Sequence, residues 1–405
     1  MPDFDIAIAG GGPAGLSAAW SAARAGASVL LVEQNSEIGS PTRTSGGSFM
    51  QELRELGIPD RLLHPIHRCR FLAPTQKAEF AYHEALACVM DVRGVYQHLA
   101  MEAAGAGAVI WMASSAKEVI REGERVTGLV VDRKTRGRVE VRAKVVIDAS
   151  GYRGQLLRQA GVGEGFERFG VGAEFDLYAP HCDEDEAVLI VGGKVAPSGY
   201  AWAFPWGNHR VRLGVGVIHT DSREKPEEYL DALMANSAEF GIDLTGAQPI
   251  EYHYGLIPSD MSEVFTGHGI LGIGDAAGHA STLLGEGIRW AIKAGRMAGG
   301  IAADAARTGD VSRESLARFE QEWMGLYGRN LRLANKINRR IALWDDRKWD
   351  ERTELLALLT PEEFARAMAT DFSAGWALGI AWAHPRLLKA SLAQALRRFS
   401  LTAAD

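Results

Sequence analysis

Near the start of the chain, Gly10-Gly11-Gly12-Pro13-Ala14-Gly15 has the spacing G-x-G-x-x-G. Such a run can cradle a diphosphate: Gly10 permits a tight turn, Gly12 lets a ligand approach the backbone, and Gly15 lets a helix pack closely on a strand. Ala14 lies at the helix start, whose amides and dipole favour an anion. Glu33 ends the next apolar run, with Gln34 beside it. A carboxylate there accepts hydrogen bonds from an adenosine ribose and disfavours a 2′-phosphate, which selects NAD or FAD over NADP. A second constellation lies far downstream. Asp275 follows the apolar run ILGIG, and Gly285-Glu286-Gly287 opens a helix at Ile288. Asp275 can bind a ribityl hydroxyl, and the helix start can face the pyrimidine edge of a flavin. A simple NAD dehydrogenase has no use for this second element, so the pair points to FAD. His279 is a candidate acid near the flavin, with a packed structural histidine as the competing reading. Glu286 reads as a helix-start carboxylate.

Tyr200, Trp202 and Phe204 alternate along a strand and end at Pro205. Alternation puts the three rings on one face, a wall suited to a long apolar chain or a flat ring. A strand packed in its own core is the competing reading. No metal site is expected. Cys69, Cys88 and Cys182 are odd in number and far apart, which also argues against a disulfide framework and fits a reducing cytoplasm.

The elements that must position these residues can be read from apolar runs. Residues 5–9 and 28–33 are strands bracketing an alanine-rich helix over 13–25, a β-α-β unit with parallel pairing. Residues 34–50 are a Gly/Ser/Thr/Pro-rich loop. A helix is expected over 94–106, strands over 108–147 and 170–217, a helix over 227–240, and a long helix over 287–308. After 312 strand signals vanish and helices follow to the end. The expected fold is α/β: a Rossmann-type FAD-binding domain (1–50, 91–165 and 265–310), an inserted β-rich substrate domain (51–90 and 166–264), and a helical C-terminal region (311–405).

Bulk properties narrow the function classes. The 405 residues carry a formal charge of −7, which argues against nucleic acid as a partner. The N-terminus has acidic residues where an export signal has basic ones. No apolar run reaches the ~18 residues of a membrane span. Residues 374–383 (AGWALGIAWA) read as a buried helix or an apolar pocket wall. Residues 384–399 carry four basic residues, no acid and leucines at helical spacing. That is a candidate for peripheral contact with an anionic bilayer, weighed against a terminal helix packed on the protein. The localisation expected is cytoplasmic, with peripheral membrane contact through that segment.

Three motifs in order resemble a flavoprotein superfamily that includes aromatic hydroxylases and geranylgeranyl reductases. They are the first glycine run, Asp148-Ala149-Ser150-Gly151 after an apolar strand, and the Asp275 element. Met90-Asp91-Val92-Arg93 resembles the family's D-R-x-x-F-D-x-x-L stretch. Val95-Tyr96 stands where Phe-Asp is usual, so only Arg93 carries over as a cofactor contact. Pro197 to Pro205 matches P-x-x-Y-x-W-x-F-P, a signature of the geranylgeranyl reductase family. The resemblance implies an FAD-dependent reductase of isoprenoid double bonds, with a prenyl lipid or other apolar isoprenoid as substrate and NAD(P)H or ferredoxin as electron donor. It also implies that the loop 39–47 contacts FAD at Thr44, Ser45 and Gly47. Thr44 replaces a cysteine common in the family, which leaves the proton route open. Two alternatives remain. One is a flavin monooxygenase or halogenase; halogenases carry a W-x-W-x-I-P strand similar to Tyr200–Pro205 and a lysine near the flavin tunnel, for which Lys77 is the nearby residue. A prenyl-carrier protein on the same fold is the non-enzyme reading.

Overall fold

The computed structural model describes residues 1–384. The unbroken apolar runs become buried parallel strands. Phe4–Ala9 pairs with Val29–Val32 on one side (Ile6 opposite Val29) and with Gly137–Asp148 on the other (Ala9 opposite Asp148). Ile270–Gly272 extends the sheet past Gly137–Asp148, and Val109–Trp111 extends it past Val29–Val32. The long strand 137–148 belongs to two layers. Its second half joins the parallel sheet, and its first half pairs antiparallel with Arg125–Arg133, which in turn pairs with Ser114–Glu122. Helices Pro13–Arg24, Val92–Gly105 and Ile288–Thr308 cover one face through a shared core of Leu16, Val95, Leu99, Ile292 and Ala298.

A second, seven-stranded sheet runs in the order Gln248–Pro258, Phe169–Tyr178, Arg210–His219, Ala196–Gly207, Glu186–Gly192, Arg68–Leu72, Lys77–Ala81. Side-chain alternation gives it two different faces. Ala173 and Leu177, with Val211, Leu213 and Val215, pack against Leu230 and Leu233 of the helix Pro226–Ala235. Glu174, Asp176, Trp202 and Arg212 lie on the opposite face. Residues 51–90 divide between two sheets. Arg68–Leu72 and Lys77–Ala81 join the seven strands, whereas Leu63–Ile66 and Ala87–Met90 pair with Gly47–Phe49 in a small third sheet.

Beyond residue 312 the described chain is helical, ending in Arg329–Ile341, Asp346–Leu356, Pro361–Met368 and Ala374–Ala383. Three of these helices begin on side-chain caps. Asp345 accepts from the Lys348 amide, Ser373 accepts from the Trp376 amide, and Thr360 with Glu363 forms a capping box. They fold back over the edge of the seven-stranded sheet, where Phe364 stacks on Phe80 at 4.0 Å and Trp349 meets Phe71 at 6.3 Å. The helix 374–383 is not buried as a whole: Leu378 is 72% exposed, while Trp376 and Ile380 turn inward to a cavity. Of the basic stretch 384–399 only His384 is described, paired with Glu363 at 2.7 Å; the rest lies outside the described residues. No helix among the described residues is long and apolar enough to cross a membrane.

Candidate active site

A cavity of about 1480 Å³ lies where the parallel sheet, the seven-stranded sheet and the C-terminal helices meet. At one end are the glycine turn and its neighbours. Gly10, Gly12, Ala14, Glu33, Gln34, Thr44 and Ser45 all line it, as do Asp275, Gly285, Gly287 and Ile288 from the downstream element. Two turns some 260 positions apart in sequence therefore share one volume.

Each is held for a physical reason. Gly10 has φ +113°, and a Cβ there would lie 2.2 Å from the Ala149 carbonyl oxygen, so only glycine makes this crossing. A Cβ on Gly12 would meet nothing within 4 Å, which leaves its front open to the cavity. The helix that follows has no side-chain cap and no acid in its first turn. Its leading amides are therefore available to an anion. Gly15 stands behind the turn, packed on the Gly10 carbonyl, and does not line the cavity. Glu33 is fixed by two backbone amides, Gly11 to Oε2 and Asn35 to Oε1, both at 2.7 Å. Each oxygen keeps a lone pair for a ligand hydroxyl. Burial pushes the Asp275 carboxyl up to about 6. A buried carboxylate at the cavity wall fits a hydroxyl donor that would restore its charge. These features together fit FAD.

Several sequence expectations change here. His279 is not at the cavity. It is 1% exposed, boxed by Phe265 (4.7 Å), Phe319 (5.6 Å) and Trp323 (4.3 Å), and both ring nitrogens lack a hydrogen-bond partner. Burial pushes its pKa down to about 3. It has no contact through which to pass a proton to a ligand. Glu286 is likewise turned away, accepting from Ser48, from the Arg289 amide and from the Arg289 guanidinium. Arg93 pairs with Glu37, and of these two only Glu37 lines the cavity. Asp148 faces inward and accepts from the Ser150, Leu156 and Leu157 amides, leaving Ala149, Ser150 and Gly151 on the wall.

The aromatic strand keeps the expected alternation. Tyr200, Trp202 and Phe204 form a row, with centroids 5.5 and 6.2 Å apart. Only Tyr200 and Trp202 line the cavity, however. Phe204 is covered by Gly47, whose Cβ would sit 3.1 Å from the ring, so neither Phe204 nor Gly47 reaches the cavity. Pro205 points to the opposite face of the strand and is also outside it. The Trp202 indole lies over Gly214, where a Cβ would come within 2.4 Å of the ring. Lys77 begins an edge strand, pairs with Glu79 and does not line the cavity. Lys117 is the single lysine among the described lining residues. Its strand begins at Ser114, whose amide donates to the Glu33 carbonyl, at the ribose end of the cavity.

Trp376 and Ile380 line the cavity from 374–383, the stretch read as a buried helix or an apolar pocket wall. Sequence reading missed two groups. The rest of the C-terminal region supplies Ile337, Ile341, Trp344, Trp349 and Phe372 to the cavity. Buried charges on the seven-stranded sheet also face it or brace it. Glu174 accepts from Trp202 Nε1 at 2.6 Å and from His253, and Arg212 reaches the Ser45 carbonyl at 2.7 Å and Asp176 at 3.4 Å. Acids at alternate positions of the otherwise apolar strand 169–178 were the available signal.

Comparison with known proteins agrees with this geometry. A family model described as FAD dependent oxidoreductase matches residues 5–172, and one described as geranylgeranyl reductase catalytic domain matches 171–256. The chain is 32% identical over 346 residues to digeranylgeranylglycerophospholipid reductase 2 of Methanothermobacter thermautotrophicus, covering 83% of this chain and 87% of that protein. A geranylgeranyl bacteriochlorophyll reductase-like protein from Thermoplasma acidophilum superposes with a TM-score of 0.84 at 25% identity, over 95% of this chain and 98% of that one. A flavin-dependent brominase superposes at 0.70 with 18% identity, over 96% of this chain and 99% of that one, a likeness of fold alone.

Proposed function

The chain belongs to the geranylgeranyl reductase family of FAD-dependent oxidoreductases, and from that premise we propose that it saturates carbon–carbon double bonds in the isoprenoid chain of a prenylated lipid. One observation carries the reading: the glycine cradle and the apolar slot are a single continuous cavity. FAD would be held by Gly12, Ala14, Glu33, Gln34, Thr44, Ser45, Asp275, Gly285, Gly287 and Ile288. When bound and reduced it supplies a hydride from N5. The protein does the rest. Tyr200 and Trp202, faced by Trp349, Trp376 and Ile380, give the alkene an apolar slot that excludes water and fixes its approach. Thr44 occupies the loop position where a cysteine is common and is too weak an acid to replace it. Electrons would arrive from NAD(P)H or ferredoxin.

The halogenase alternative needs a lysine beside the reacting end, and Lys117 lies at the Glu33 end instead; a monooxygenase needs none and is separated by oxygen uptake with NAD(P)H. The test is anaerobic. Dithionite-reduced protein is offered a digeranylgeranyl glycerophospholipid, geranylgeranyl diphosphate and menaquinone in parallel. The expected result is flavin reoxidation with a gain of two hydrogens per bond in the prenylated lipid. No alkene reduction there, with oxygen uptake or halide incorporation in a parallel aerobic assay with NAD(P)H, would reverse the assignment.

A further inference from the structure

Saturating a double bond takes a hydride at one carbon and a proton at the other, and the cofactor provides only the first. Three titratable side chains on the cavity face of the seven-stranded sheet are linked end to end. Glu174, on Phe169–Tyr178, and His253, on the neighbouring Gln248–Pro258, are paired across the sheet and both line the cavity. His253 Nδ1 lies 2.8 Å from Glu174 Oε1, and Nε2 lies 3.1 Å from Glu251 Oε2. The side chains of Glu174 and His253 are 3% and 4% exposed, whereas Glu251 is 53% exposed. One end of the chain therefore stands in water and the other in the cavity wall. The inner carboxylate is also tied to the substrate slot, because its second oxygen accepts from Trp202 Nε1 at 2.6 Å.

We propose that Glu251, His253 and Glu174 form a proton relay that delivers one proton from solvent to the alkene for each bond reduced. The proposal deepens the reductase reading and rests on it. In the step, the Glu174 O–H bond breaks and a C–H bond forms at the carbon that does not receive the hydride. Glu174 regains its proton from His253 Nδ1 as Nε2 accepts one from Glu251, which takes its own from water, and the ring turns over to bring that proton back to the Glu174 side before the next bond. Both electrons come with the hydride, so the relay moves protons only. Glu174 is the catalytic acid; His253 and Glu251 act through it.

The electrostatics agree with the geometry. Charged groups facing His253 are Glu174 from the adjacent strand, Glu251 from its own, and Arg212 from Arg210–His219, with Asp176 and Arg210 in turn bound to each other nearby. Burial acts to lower the His253 pKa, but its hydrogen bonds to Glu174 and Glu251 outweigh that and raise it. A histidine bonded to two carboxyl groups, one in water and one in the cavity wall, can accept a proton at one ring nitrogen as it gives one up from the other.

The test uses full-length, FAD-loaded protein with Glu174→Gln, Glu251→Gln and His253→Gln. In anaerobic single turnovers with a prenylated lipid, Glu174→Gln should slow reoxidation of the reduced flavin by ~100-fold or more. Glu251→Gln should slow it less, and lipid affinity and the oxidised flavin spectrum should stay unchanged in both. Independently of turnover, the ¹⁵N-labelled imidazole of His253, assigned by its loss in His253→Gln, should titrate above free histidine and fall in Glu174→Gln. A wild-type enzyme that turns over while Glu174→Gln keeps pace with it overturns the relay alone. So does a His253 titration that neither carboxylate variant moves. A wild-type enzyme that no isoprenoid reoxidises overturns the reductase reading and the relay with it.

Discussion

Asp275 and His279 lie four positions apart and are burdened in opposite ways by the same cause. Burial raises the Asp275 carboxyl from 3.8 to about 6, a difference worth roughly 3 kcal/mol between its two protonation states. In the cofactor-free protein that cost is absent below pH ~4, grows through pH 4–6 and is complete above it. Asp275→Asn should therefore raise the melting temperature of the cofactor-free protein at pH 7 and not at pH 4, while weakening FAD binding at least ~10-fold. Calorimetry and a flavin titration at both pH values check this, and a variant that binds FAD normally would remove Asp275 from the cofactor's hold. Burial instead depresses His279 to about 3. The folded protein keeps it neutral where the unfolded chain protonates it, so stability is lost as pH falls from about 6.5 toward 3, by up to ~1.4 kcal/mol per pH unit. His279→Phe, which removes two unpartnered nitrogens, should flatten that acid slope and leave alkene reduction intact; an inactive but folded variant would return the histidine to the chemistry. Sequence placed His279 close to Asp275, but closeness along a glycine-rich turn says nothing about which way a ring points. That is decided by Phe319 and Trp323, forty or more positions away.

The glycine turn separates two requirements that one motif hides. Gly10 is demanded by the fold, since a side chain there would run into the Ala149 carbonyl, whereas Gly12 faces open space in a conformation any residue adopts. Gly10→Ala should fail to fold or lose several kcal/mol through strain at positive φ. Gly12→Ala should keep the wild-type melting temperature and yet purify with little FAD. Thermal melts beside the 450 nm absorbance separate the two, and equal behaviour would show that the turn has one role only. Such local units were legible because strand, turn and helix are contiguous. The row of Tyr200, Trp202 and Phe204 was legible for the same reason, as strand alternation alone fixes a common face. Where the cavity stops along that row was not, because Gly47, on another sheet, covers Phe204. The Glu174–His253 contact depends on strand register between segments 79 positions apart, which no local pattern encodes.

Across the whole molecule, Arg168 ties the parts together from within. Its guanidinium, 5% exposed as a residue, donates to Asp221 (2.6 and 2.9 Å), the Ser259 carbonyl (2.7 Å) and Asn338 (2.6 Å), and Asn338 donates to the Thr282 carbonyl. One side chain thus joins the seven-stranded sheet, the helix 329–341 and the loop before Gly285. Arg168→Met should cost about 3–5 kcal/mol, because it strands buried partners. Helices beyond 324 should become the first site of proteolytic cutting, and a variant that resists protease like the wild type would show that the apolar contacts of those helices suffice. The helical character of this region was readable from its lack of strand signals, and 374–383 could be read as a pocket wall, but the share of Trp344 and Trp349 in the cavity was not legible, since tryptophans in a mixed-charge segment read equally well as core.

The cavity draws its walls from Ala9 at one extreme to Ile380 at the other. A ribosome making this chain releases the glycine cradle hundreds of residues before Trp376 and Ile380 complete the apolar wall. Until then Trp202 and its neighbours face water as an open greasy trough. A chain that stops before Asp346 would lack Trp349, Trp376 and Ile380 and would keep Trp202 on a sticky, half-walled surface.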